Sequence, residues 1–196
     1  MSAAERDKWD TRYRDGAYEG RTHPTALLAQ WLPRLPHGRA LDIACGAGRN
    51  SLYLAANGFA VTALDISSVA LDRGRRAAAE RGLAVDWQCA DLDADPERAL
   101  PPGRFDLIVW ARYVHRTLMP HLVARLDLGG ALVCEQHLKT DAAVAGPTSA
   151  GFRLAPGELR RSAHGLRIAH DYEGLVADPD GRSVALAQLI GHKTTA

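Results

Sequence analysis

Between Arg39 and His137 short apolar runs alternate with stretches of helical periodicity, and that alternation restricts the fold more than anything else in the chain. Residues 40–44, 60–64, 84–89, 105–110 and 131–137 read as strands. Residues 49–57, 67–81 and 118–128 read as the helices between them, with Gly58, Gly82 and Gly129-Gly130 as stops and Ser67 as a cap. Strand and helix in strict alternation imply a parallel sheet covered on both faces. After a looser stretch, 140–152, two apolar segments at 166–176 and 182–190 flank Asp178-Pro179-Asp180-Gly181, a turn signal that closes an antiparallel hairpin. The fold class is therefore α/β: a Rossmann-like, doubly wound sheet of seven strands, mostly parallel, with a C-terminal antiparallel hairpin.

Ahead of this core, residues 1–36 read as a helical cap. Ser2 and Glu5 have capping-box spacing, so a helix is expected over about 3–14, with Trp9 and Tyr13 on one face. Thr22 and Pro24 open a second helix that buries Leu27, Leu28 and Trp31 and ends at Pro33 and Pro36. The whole chain, 1–196, reads as one domain, with 39–137 as a ligand-binding core and 138–196 as lid loop, helix and hairpin.

Twenty-four Lys+Arg against 23 Asp+Glu argue against a binder working through a global positive field, so no nucleic-acid partner is expected. A charged N-terminus without an apolar run is no secretory signal, and no window is apolar enough to span a membrane. Three widely spaced cysteines, Cys45, Cys89 and Cys134, read as reduced cytoplasmic thiols, the last two in the core. His115, His121 and His137 lack ligand spacing, so no metal is expected.

The chemistry concentrates at strand ends. Asp42-Ile-Ala-Cys-Gly-Ala-Gly-Arg49 forms the first strand-to-helix turn, where Gly46 and Gly48 let backbone approach a ligand. Asp65, with Ile66 beside it, ends the second strand and suits the two hydroxyls of a ribose. Asp91 and Leu92 end the third, where an acid meets an adenine amino group and an apolar side chain packs on the ring. A nucleoside-containing cofactor follows. A dinucleotide fingerprint wants Gly or Ala where Ser51 stands, and Asp42 has no task beside a pyrophosphate. Asp42 suits a site near an ammonium or sulfonium, or a role in holding the turn. An NAD(P)-linked oxidoreductase and a non-catalytic nucleoside binder remain the alternatives.

These motifs resemble those of the class I S-adenosylmethionine-dependent methyltransferases, with Ala44 in place of the first motif glycine. A narrower likeness, carried by 48–58, Arg21-Thr-His23 and 156–161, is to the small tellurite-resistance and thiopurine methyltransferases. The resemblance implies S-adenosylmethionine as cofactor, S-adenosylhomocysteine as product, and a small-molecule acceptor, with oligomeric state left open. It implies that the backbone of Ala44, Cys45 and Gly46 holds the amino-acid end of the cofactor, with Tyr13, His23 and Arg49 at its carboxylate or over it. Trp110, ending the fourth strand, would meet the cofactor through its backbone. Arg112, Tyr113 and His115, just after that strand, are the expected substrate-orienting residues, with Arg153 and Arg182 as weaker candidates.

Overall fold

The computed structural model describes residues 3–194. In chain order the elements are α1 (Ala3–Arg14), α2 (Ala26–Trp31), β1 (Arg39–Ile43), α3 (Arg49–Ala56), β2 (Ala60–Asp65) and α4 (Ser68–Glu80). There follow β3 (Val85–Cys89), α5 (Pro96–Ala99), β4 (Phe105–Ala111), α6 (Met119–Arg125), β5 (Leu126–His137), α7 (Glu158–Ser162), β6 (Leu166–Ala177) and β7 (Ser183–Lys193). The sheet runs β3-β2-β1-β4-β5-β7-β6. The first five strands pair in parallel, and β7 lies antiparallel to both β5 and β6.

Alternate residues of each central strand enter two separate cores. Leu41, Ile43, Ile108, Trp110, Leu132 and Cys134 face Leu122 of α6 and Leu159 of α7. Ala40, Leu107, Val109 and Val133 face Leu27 and Leu28 of α2 and Leu54 of α3. Strands buried on both sides explain why their sequences read as continuous apolar runs. Chain order leaves β1 toward β2 on one side and reaches β4 on the other. The crevice above the carboxyl ends of β1 and β4 is thus a topological switch point.

Four expectations change. Residues 22–25 are not helical: Thr25 is extended and spends its N–H on Asn50 Oδ1 at 2.9 Å, and α2 begins only at Ala26. The helix expected to reach 128 stops at Arg125, and Gly129-Gly130 lie inside β5. There the β4–β5 register shifts, and a Cβ on Gly130 would meet the Asp127, Phe105 and Asp106 carbonyls at 2.9–3.1 Å. These glycines serve a bulge, not a helix end. Cys89 is exposed rather than core, because β3 is an edge strand. Ser2 lies outside the described residues, so the capping box does too. No helix among the described residues is long and apolar enough to cross a membrane, and no group of His, Cys, Asp or Glu among them is arranged to hold a metal ion.

Candidate functional site

After β1 the chain turns sharply: Ala44, Gly46 and Gly48 all take left-handed backbone, at φ 51°, 59° and 81°. Glycine adopts this freely, whereas Ala44 stores roughly 1 kcal/mol of strain. The turn is clamped from below by Asp65 at the tip of β2. Its Oδ2 accepts the Gly46 N–H at 2.7 Å and its Oδ1 the Ser67 N–H at 2.8 Å. Burial pushes the Asp65 carboxyl up to about 6, against the pull of those two N–H groups. Asp42 does not face the crevice. It is buried beneath α3, where it accepts the Ser51 hydroxyl at 2.5 Å, and burial pushes it up to about 7. Of its two expected tasks, it performs the one of holding the turn.

Sequence reasoning missed Trp87. Its indole packs against Gly48 and Gly74, and a Cβ on either would run into the ring. Gly48 is therefore demanded by a tryptophan from the edge strand as well as by its own dihedral. No spacing rule links residues that lie in three different elements.

Helix α1 lies over the turn. Asp10, buried, accepts the Ser67 hydroxyl at 2.6 Å, the Ser68 hydroxyl at 3.4 Å and the Val69 N–H at 3.3 Å, so it supplements the Ser67 cap of α4 from another helix. Arg73 of α4 donates to the carbonyls of Tyr13 and Ala17. Docked this way, Tyr13 is buried with its hydroxyl against Gly46, where any Cβ would collide with it, and Asp65 is left only 8% exposed. Burial and the nearby Asp65 hold the Tyr13 phenol protonated. Asp10→Ala should loosen α1 by about 1–2 kcal/mol, a lost cap's worth. Limited proteolysis should then cut near Trp9 several times faster, and an unchanged cutting rate would show that Asp10 does not anchor the helix.

At the β3 tip, Asp91 Oδ1 accepts the N–H groups of Asp93 and Ala94 at 3.1 and 3.2 Å, and Leu92 is buried. Asp93 in turn takes the Tyr113 hydroxyl at 2.8 Å and His115 Nε2 at 3.3 Å. Trp110 is buried in the same core as Leu92, and its indole N–H donates to the Tyr113 carbonyl at 2.6 Å.

The expected trio Arg112, Tyr113 and His115 is split. Tyr113 and His115 turn toward Asp93, whereas Arg112, itself left-handed at φ 60°, turns toward β5 and the hairpin. Its Nε and Nη2 reach Glu135 Oε1 at 2.7 Å and its Nη2 also reaches Asp178 Oδ1 at 3.0 Å, while Gln188 donates to Glu135 Oε2 at 2.8 Å. Arg21, His23 and Arg49 meet Asp178 and Asp180 around a narrow cleft nearby. Arg49 has its basicity lowered by burial and by Arg112. His137, at the end of β5, is pushed down to about 3 by burial, then by Arg112, Arg153, Arg21 and Arg49, so its imidazole is neutral. Arg153 is spent on the carbonyls of Pro147 and Leu138, and Arg182 on Asp180. Glu135 and Asp178 were not legible as site residues, because what makes them so is a contact between distant segments.

The glycine turn, the acid below it and the covered apolar tip of β3 suit an adenosyl group. Gly46 has no Cβ, and the Tyr13 hydroxyl covers the place where one would stand, so a group bound at the turn would meet Tyr13 as well as the remaining lone pairs of Asp65.

Residues 40–127 match the methyltransferase domain family. Among curated relatives, the ribosomal protein L11 methyltransferase of Symbiobacterium thermophilum is 34% identical over 116 residues, which is 56% of this chain and 36% of that one. The chain thus spans little more than a third of that relative's length. Among solved structures, TehB from Haemophilus influenzae superposes with a TM-score of 0.72 at 20% identity, covering 96% of this chain and 67% of that one. The magnesium protoporphyrin IX methyltransferase of Synechocystis PCC 6803, with bound S-adenosylhomocysteine, gives 0.70 at 16% identity over 98% of this chain and 99% of that one. Residues 40–127 thus match a methyltransferase domain, and the chain as a whole shares the fold of TehB and of the magnesium protoporphyrin IX methyltransferase.

Proposed function

We propose that this chain, as a single domain, transfers a methyl group from S-adenosylmethionine to a small-molecule acceptor. The observation that carries the reading is the left-handed turn Ala44–Gly48, clamped by Asp65 at the switch point of the sheet. The backbone of Ala44, Cys45, Gly46 and Gly48 would hold the amino-acid end of the cofactor, with Arg49, His23 and Tyr13 around it. Asp65 and Ile66 would take the ribose, and Asp91, Leu92 and the Trp110 backbone the rest of the nucleoside. When bound, the cofactor supplies an electrophilic methyl on a sulfonium whose charge disappears on transfer. The chain's own share is then to align the acceptor and keep water out. Tyr13 and α1 cover the turn, and Arg112, Tyr113 and His115 border the acceptor side. The near balance of charge supports a small molecule over a nucleic acid, and the sequence likeness supports a soft nucleophile of the tellurite type and a cytoplasmic setting.

Titration with S-adenosylhomocysteine tests this. Wild type should bind, and Asp65→Ala should bind about thirtyfold more weakly, roughly 2 kcal/mol from lost ribose bonds. Unaltered affinity in the variant would remove Asp65 from the site.

A further inference from the structure

A second cleft opens at the carboxyl ends of β4 and β5. Its apolar walls are Trp110, Val114, Leu154 and Leu159, and His115 and Gln136 add polar surface. Trp110 pairs with Ile43, the last residue before the glycine turn, so the cleft adjoins the crevice at the switch point. The space is small, about 40 Å³, which is room for about three water molecules.

The charged and donating groups around it are already engaged. Arg116 and Glu158 pair at 2.7 Å, and Arg116 also donates to the carbonyls of Gly151 and Arg153. Ser162 gives its hydroxyl to the Leu159 carbonyl at 2.7 Å, and the Gln136 amide donates to the Trp110 carbonyl at 3.2 Å. No charge is left over for an ionic ligand, so the lining suits a neutral one.

His115 is different. Its Nε2 stands 3.3 Å from Asp93 Oδ1, the oxygen that also accepts the Tyr113 hydroxyl at 2.8 Å. A carboxylate oxygen only accepts, so in the neutral ring the hydrogen belongs on Nε2 and the lone pair on Nδ1. Nδ1 has the Thr117 hydroxyl at 3.5 Å, a contact too long to hold it. Only 11% exposed, the side chain is shielded from bulk water. An imidazole oriented by a carboxylate, with an accepting nitrogen at an apolar cleft, has the arrangement of a general base.

We propose that His115 is the general base of the transfer, with Asp93 as its positioning residue, and that the cleft takes a neutral acceptor still carrying its proton, a hydroxyl or a thiol. The assignment rests on the methyl-transfer reading. The acceptor's O–H or S–H bond breaks toward His115 Nδ1. The pair left behind forms the bond to the methyl carbon as the carbon–sulfur bond parts with its own pair on sulfur, and the imidazolium then gives its proton to water. An oxyanion needs no such base, so His115 and Asp93 set the acceptor apart from one.

Nitrogen NMR of the full chain with isotope-labelled histidine, at mildly alkaline pH, reads the first claim, and His115→Phe identifies the signals. Wild-type His115 should carry its hydrogen almost wholly on Nε2, and Asp93→Ala should let the tautomer mixture of an untethered ring return. Phenol and toluene read the second claim by calorimetry, since they have nearly one shape and only phenol donates. The ratio of phenol to toluene affinity should fall about tenfold in His115→Phe. A hydrogen on Nδ1 in wild type, a tautomer unmoved by Asp93→Ala, no binding of either probe, or an unchanged ratio in His115→Phe would overturn the proposal. If Asp93→Ala does not fold, the wild-type tautomer and His115→Phe carry the test. S-adenosylhomocysteine titrated in parallel reads the other claim: its failure to bind, with tautomer and probe ratio as expected, would sink only the methyl-transfer reading.

Discussion

Arg112→Ala should destabilise the fold by about 3–5 kcal/mol, a large share of what a domain of this size has to lose. The cost arises less from the lost contacts than from what stays behind. Glu135 and Asp178, 2% and 3% exposed, would face each other's charge with no guanidinium between them. Buried pairs of this kind contribute little net stability when intact, because desolvation cancels most of the Coulombic gain, yet breaking one is expensive. Two companion variants separate these effects. In Arg112→Ala/Glu135→Gln one orphaned charge is gone, so part of the loss should return, and the two substitutions should be clearly non-additive. Arg112→Gly should lose about 1 kcal/mol less than Arg112→Ala, since residue 112 sits at φ 60°, where glycine alone is unstrained. Urea denaturation of the set checks all three. A loss below about 1 kcal/mol for Arg112→Ala would mean that water reaches the triad. The same reasoning governs activity work at this position, where a drop in rate for the alanine variant would report folding as much as acceptor binding.

How much of the candidate site was legible in the sequence follows from where the information lies. Gly46, Gly48, Asp65 and Asp91 sit at or just past the ends of strands that the alternation of apolar and polar residues already delimits, so their place around the turn follows from the parallel order. The Arg112–Asp178 contact spans 66 residues and exists only because β7 inserts antiparallel between β5 and β6, carrying the turn at Asp178 over the end of β4. Nothing local to Asp178-Pro179-Asp180-Gly181 distinguishes a carboxylate buried against an arginine from one that shapes a turn. Boundaries failed for a related reason. Gly129-Gly130 has the chemistry of a helix stop, and only the backbone carbonyls of Phe105 and Asp106 pressing on Gly130 reveal a bulge in a strand. Asp42 was readable as important but not in its task, since its partner Ser51 reaches it only once α3 folds back onto β1.

That buried carboxyl gives the second large effect, in the pH dependence of stability. Asp42 is held at about 7 and Asp65 at about 6 in the folded chain, against an ordinary value of 3.8. Between about pH 4 and pH 7 the folded chain therefore binds protons that the unfolded chain has already released. Stability from these two groups is fully present at the acid end of that window and is lost as the pH rises through their folded values, with no further change above. Asp42 accounts for the larger part, on the order of 4 kcal/mol. Asp42→Asn removes the titration while still offering an oxygen to the Ser51 hydroxyl; the unpaired amide N–H groups it introduces cost about 1–3 kcal/mol. The variant should therefore be less stable than wild type near pH 4 and more stable, by about 2 kcal/mol, near pH 8, so that the two stability curves cross. Chemical denaturation at those two pH values reads the crossing directly. Parallel curves would mean that Asp42 is already ionised in the fold at low pH, with the Ser51 hydroxyl and the Arg49 guanidinium outweighing its burial.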